Sequence, residues 1–85
     1  MTTIYENKKQ ALQMGIYYTG RKDVEIEELE RVDGRVSTVF GDSLESEVYE
    51  LENSNGIKVR LGIELLDSGK CCLWLISSDG SAVRT

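Results

Sequence analysis

The sequence predicts an α+β fold, with an N-terminal helix packed on an antiparallel β-meander sheet of five or six strands. Three observations lead there. Ile57, Val59, Leu61, Ile63 and Leu65 alternate without a break against Lys58, Arg60, Gly62 and Glu64. Such a period of two puts every apolar side chain on one face of a strand. Near the start, Asn7 to Met14 holds a run of good helix formers behind a capping signal. Between the remaining apolar segments, Asn-Gly, Asp-Gly and Asp-Ser-Gly sequences mark turns.

Each element has its own warrant. Thr3-Ile4-Tyr5-Glu6 matches a capping box, in which the threonine oxygen takes the third helical amide and the glutamate reaches back to the cap. Ile4, Ala11 and Leu12, with Tyr5 or Met14 at the margins, form the apolar stripe, and Gly15 suits the left-handed residue that ends the helix. Ile16-Tyr17-Tyr18 is then expected to be a short first strand. The segment from Asp23 to Val32 is ambiguous. Ile26, Leu29 and Val32 recur every third residue, as in a helix, yet Val36, Val39 and Phe40 after Asp33-Gly34 are strand-like. A hairpin joining Val24–Val32 to Arg35–Phe40 is the preferred reading. Tyr49 and Leu51 alternate with Glu50 and Glu52, and Asn55-Gly56 turns the chain into the Ile57–Leu65 strand, both residues tolerating positive φ. Cys71 to Ile76 is apolar on both faces, as a central strand covered on both sides would be. Trp74 within it is expected in the core. A short last strand, Ala82 to Arg84, follows Asp79-Gly80.

Composition bounds the chemistry. Eighty-five residues, 40% hydrophobic and 29% charged, predict a single domain spanning 1–85. Charged residues through the first fourteen positions rule out a signal peptide's apolar segment there, and Cys71–Ile76 is far too short to cross a bilayer. A cytoplasmic chain without membrane contact is the expectation. The adjacent Cys71 and Cys72 make no disulfide framework and are expected to be reduced.

No enzymatic signature is present. The chain has no histidine, which excludes serine–histidine and cysteine–histidine hydrolysis. Two neighbouring cysteines point to opposite faces of a strand and cannot make a zinc site alone. No phosphate-binding glycine loop occurs, and Asp42, Glu45 and Glu47 lack the glycine and terminal glutamate of a calcium loop. No cofactor and no catalysis are expected. The net charge of −5 disfavours direct contact with nucleic acid.

What stands out is where the charge lies. From Asp23 to Glu52 there are eleven acids against Arg31 and Arg35, a local net of −9, while the flanks together carry +4. Glutamates on a sheet often serve only solubility and discourage edge pairing. Gathered on one surface, they would instead steer and select a basic partner. Glu28, Glu30, Glu45, Glu47, Glu50 and Glu52 are the candidate contact residues, Glu28 and Glu30 sharing one strand face and Glu50 and Glu52 another. The expected function is therefore an acidic module that sequesters or inhibits a basic protein, nucleic-acid-binding proteins among the candidates, in the manner of phage-type inhibitors and immunity proteins. The alternative is a non-catalytic structural or regulatory subunit that forms a homodimer through a sheet edge.

Overall fold

A computed structural model of the chain describes residues 3–33, 36–37, 43–44 and 46–85. Helix α1 runs Lys8–Tyr18. Asn7 caps it, its backbone extended and its Oδ1 accepting the Gln10 amide at 3.0 Å, while Gln10 Oε1 accepts the Glu6 amide at 3.3 Å. The side-chain cap is therefore Asn7, four residues later than Thr3, and Gln10 reaches back to the residue before the cap. The reason is tertiary: Tyr5 is held extended by two backbone bonds with Cys71 (2.8 and 2.9 Å), and the Thr3 amide donates to the Thr85 carbonyl. Residues 3–5 are thus tied to the sheet, and Thr3 cannot cap a helix.

The other end of α1 also differs from expectation. Gly15 lies inside the helix, and Ile16-Tyr17-Tyr18 continue it where a strand was predicted. A β-carbon at Gly15 would stand 2.7 Å from Leu61 Cδ1 and 3.2 Å from Leu73 Cδ1. The glycine lets α1 lie close on the sheet, and Gly20 (φ +82°) makes the left-handed exit, its amide bonded to the Tyr17 carbonyl. Ala11, Leu12, Gly15 and Ile16 form the buried stripe. Ile4 and Met14 drop out of it and are exposed.

After α1 comes a 3₁₀ turn, Ile26–Glu28, then strands β1 (Glu30–Val32), β2 (Val36–Ser37), β3 (Ser43–Leu44), β4 (Ser46–Glu52), β5 (Lys58–Leu65), β6 (Cys71–Ile76) and β7 (Ala82–Arg84). The main sheet is antiparallel, in the order β1-β4-β5-β6-β7, so β4 to β7 form a meander and the helix packs on it. β1 pairs with β4 through Glu30↔Glu50, Arg31↔Tyr49 and Val32↔Val48, while β2 and β3 form a ladder of their own. The expected hairpin across Asp33-Gly34 is thereby corrected, since β1 takes β4 as its neighbour; Gly34 itself is outside the described residues. Residues 23–32 are neither one helix nor one strand. The Leu29 amide closes the 3₁₀ turn on the Ile26 carbonyl, which aims Val24, Ile26 and Leu29 at the core.

The three hairpin loops of the meander are closed in the same way. Gly56, Gly69 and Gly80 have positive φ, and their amides donate to the carbonyls of Asn53, Leu66 and Ser77, three residues back. This is the turn-plus-glycine closure of a three-residue hairpin loop. Asn55 does not share the positive φ expected of it.

Alternation in β5 sets the core. Leu61 and Ile63 are fully buried against α1 with Leu73, Cys71, Leu12 and Ala11. Val59 is half-buried, and Ile57 and Leu65 are 49% and 53% exposed. An eleven-residue helix is about 16 Å long, whereas a strand of eight residues spans about 27 Å, so α1 covers only the middle of β5. On the opposite face Val48, Cys72 and Trp74 are buried too, which bears out β6 as a central strand buried on both faces.

Candidate acidic interface

Strand parity sorts the acids. In β4, Glu50 and Glu52 point away from α1 with Val48, while Glu47 shares the helix side with Tyr49 and Leu51. Glu30, directly across from Glu50, joins the face away from the helix. Glu30, Glu50 and Glu52 therefore share one face. Glu28 is in the 3₁₀ turn, so it does not share a strand face with Glu30 as expected; its Oε2 accepts the Glu25 amide at 2.9 Å. Glu45 lies outside the described residues.

Their electrostatic situations differ as much as their positions. Glu47, with a side chain 18% exposed, meets Lys8 Nζ at 2.9 Å, takes the Tyr49 hydroxyl at 2.9 Å and lies 3.8 Å from Arg31. The Lys8 ammonium, more than any other neighbour, holds its carboxyl below the usual range, and Glu47 in turn raises Lys8. This glutamate clamps α1 to the sheet and offers little charge to a partner. Glu50 is bracketed by Arg60 at 3.2 Å and Lys58 at 3.6 Å. Those cations offset the repulsion between Glu30 and Glu50, which face each other across the ladder.

What is left uncompensated is a margin. Glu25, Glu27, Glu30, Asp33 and Glu52 are exposed and have no ion-pair partner among the described residues. They follow the 3₁₀ turn and β1, with Glu52 at the near end of β4. A shallow depression of about 330 Å³ lies there, its walls including Val24, Glu28, Glu30, Glu50, Glu52 and Lys58. Arg21 is engaged beside it, bonded to the Asp23 carboxylate at 2.9 Å and to the Glu52 carbonyl at 3.0 Å. Glu25, Glu27 and Asp33 were not singled out from the sequence, although the density of acids around them was visible. Parity alone was enough to separate Glu47 from Glu50 and Glu52.

The far side of the sheet carries a second polar group. Trp74 Nε1 donates to Glu64 Oε1 at 3.0 Å, Arg84 lies 3.7 Å from that same oxygen, and its guanidinium sits 5.7 Å from the indole centroid. Trp74 is thus a core residue whose one polar atom is satisfied. Both cysteines are buried free thiols, and burial pushes each above the ordinary thiol range, which favours the protonated form. No cluster of potential metal ligands occurs among the described residues, and no helix there is long and apolar enough to cross a membrane. Compared with protein-family models, curated proteins and solved structures, the chain gives no match.

Proposed function

We propose that this protein is a non-enzymatic, cytoplasmic binding module that sequesters or inhibits a basic protein, as phage-type inhibitors and immunity proteins do. The observation that carries this reading is the uncompensated margin of Glu25, Glu27, Glu30, Asp33 and Glu52, beside acids that are neutralised. Glu47 serves the fold, and a cation meets it. Where none does, the charge remains directed at solvent, and a basic surface approaching it is steered and held in register. The docking surface is accordingly narrower than the run of acids in the sequence. Glu28, Glu30, Glu50 and Glu52 border it, and Glu47 contributes to the fold beneath.

The test is affinity capture from cell extract with the wild-type chain and a variant carrying Glu25, Glu27, Glu30 and Glu52 as glutamine. A basic protein recovered at low salt, weakened at high salt and lost with the variant is the expected result. Equal recovery by the two chains refutes the margin as the docking surface. The second reading, a subunit that dimerises through a sheet edge, rests on β7, whose Val83 is 64% exposed. Both edge strands have only three residues, which limits such pairing. A salt-insensitive homodimer in sedimentation equilibrium would favour it.

A further inference from the structure

We propose that Asn55 is a site of spontaneous deamidation, so that the loop between β4 and β5 acquires a carboxylate as the protein ages. The reaction requires the Gly56 amide nitrogen to lose its proton and attack the Asn55 side-chain carbonyl carbon. A carbon–nitrogen bond forms, ammonia leaves and a succinimide remains. Water then opens the ring at either carbonyl, giving aspartate or isoaspartate. No co-reactant other than water is needed.

Three features select this residue. The first is its neighbour: no side chain at Gly56 hinders the attack, and a β-carbon there would meet nothing within 4 Å. The second is its carboxamide. The chain has three asparagines. Asn7 Oδ1 accepts the Gln10 amide, and Asn53 Oδ1 accepts both the Asn55 and Ile57 amides. The exposed Asn55 carboxamide makes no hydrogen bond to any described residue, so it is free to rotate towards the backbone.

The third is the contrast with the equivalent loop before β7. There Asp79 precedes Gly80 in the same turn position, but the Ser81 amide and hydroxyl donate to its carboxylate at 3.0 and 2.8 Å. They hold Asp79 below the usual carboxyl range, hence ionised, and a carboxylate is a poor electrophile. The same turn therefore protects Asp79 and leaves Asn55 open. One restraint remains at Asn55: the Gly56 amide donates to the Asn53 carbonyl at 3.0 Å and must be released before it can attack. In an exposed loop that opening is local and easy. The modification has a structural address, because the neighbouring Ser54 amide donates to the Thr19 carbonyl at the end of α1. A new carboxylate there is added to the loop that borders the C-terminal, negative end of the helix dipole, and isoaspartate lengthens the backbone of the loop.

The experiment holds the folded protein at mildly alkaline pH and samples it by peptide mapping with tandem mass spectrometry. A synthetic peptide covering residues 50–60 is treated alongside as the unstructured reference. The expected result is an amide-to-acid mass gain at Asn55, as both aspartate and isoaspartate, slower in the folded chain than in the peptide. Asn7 and Asn53 should stay unchanged in the folded chain. An unmodified Asn55 in the folded protein after the peptide has converted would overturn the proposal. Conversion of Asn53 or Asn7 ahead of Asn55 would overturn it equally.

Discussion

The centre of the sheet under α1 and the margin formed by the 3₁₀ turn and β1 are built on opposite terms. In the centre, Leu61, Ile63 and Leu73 are fully removed from water and meet Ala11, Leu12 and Ile16 of the helix. At the margin, Val24, Ile26 and Leu29 are only half-buried, and the residues between them are exposed acids. The centre supplies stability by removing apolar surface from water. The margin supplies charge and leaves its own apolar residues only partly removed from water. Charge and stability are thus divided between two parts of one small chain, and each is expected to change with little effect on the other.

The largest expected effect is in the centre. Leu61→Ala should cost about 2–5 kcal/mol, a large share of the roughly 4–13 kcal/mol expected for a chain of this size. Lys58→Ala, on the outward face of the same strand, should stay within about 0.5 kcal/mol. Urea titrations compare the two, and equal midpoint shifts would erase the distinction between the faces. Next comes Gly15→Ala. Alanine favours a helix by about 1 kcal/mol over glycine, but its methyl would press on Leu61, an overpacking that costs about 1–3 kcal/mol. A net loss of about 1 kcal/mol is expected. In the Leu61→Ala background the same change should become stabilising, since the methyl then enters vacated space. Additive effects in that double-mutant cycle would show that the helix does not rest on Leu61.

Smaller still is the clamp between the two regions. Glu47→Gln should cost about 0.5–1 kcal/mol near neutral pH, because the Lys8 end of the pair is partly solvated. Since Glu47 has its pKa lowered on folding, its contribution is present above the ordinary glutamate range and is lost as pH falls through the folded value. Lys8, whose pKa is raised, contributes below the ordinary lysine range and loses that contribution as pH rises through its folded value. Thermal midpoints across the acid range should therefore fall less steeply in the variant than in the wild type; parallel curves would remove Glu47 from the account. The smallest effect belongs to the margin. Replacing Glu27, Glu30 and Glu52 together by glutamine should change stability by no more than about 0.5 kcal/mol. Calorimetry detecting a loss several times larger would mean that these acids hold the fold together and are not solvated charge.

Much of the centre was legible in advance, while the margin was legible only as a density of acids. Parity within a strand is a local property: successive side chains alternate whatever the partner. The sequence alone therefore assigned Leu61 and Ile63 to the core, marked Cys71–Ile76 as a strand buried on both faces, and located the glycines at 56, 69 and 80 in turns. It also held the information that Glu47 and Glu50 face opposite ways. Residues 23–32 gave no such rule, because a half-buried edge imposes neither a helical nor an alternating period.

Only the tertiary structure decided which distant segments meet. Tyr5 pairs with Cys71, so the helix starts at Lys8 although Thr3 has all the chemistry of a cap. Gly15 lies under Leu61 and so serves close approach, not termination. β1 takes β4 as its neighbour in place of the segment that follows it, and this sets Glu30 opposite Glu50. The cations that reach Glu47 and Glu50 come from α1, β1 and β5, which separates neutralised acids from those left facing solvent. Each of these outcomes depends on contacts far apart in the chain, and their free energy is settled by the packing of the whole sheet and helix, beyond the reach of any local pattern.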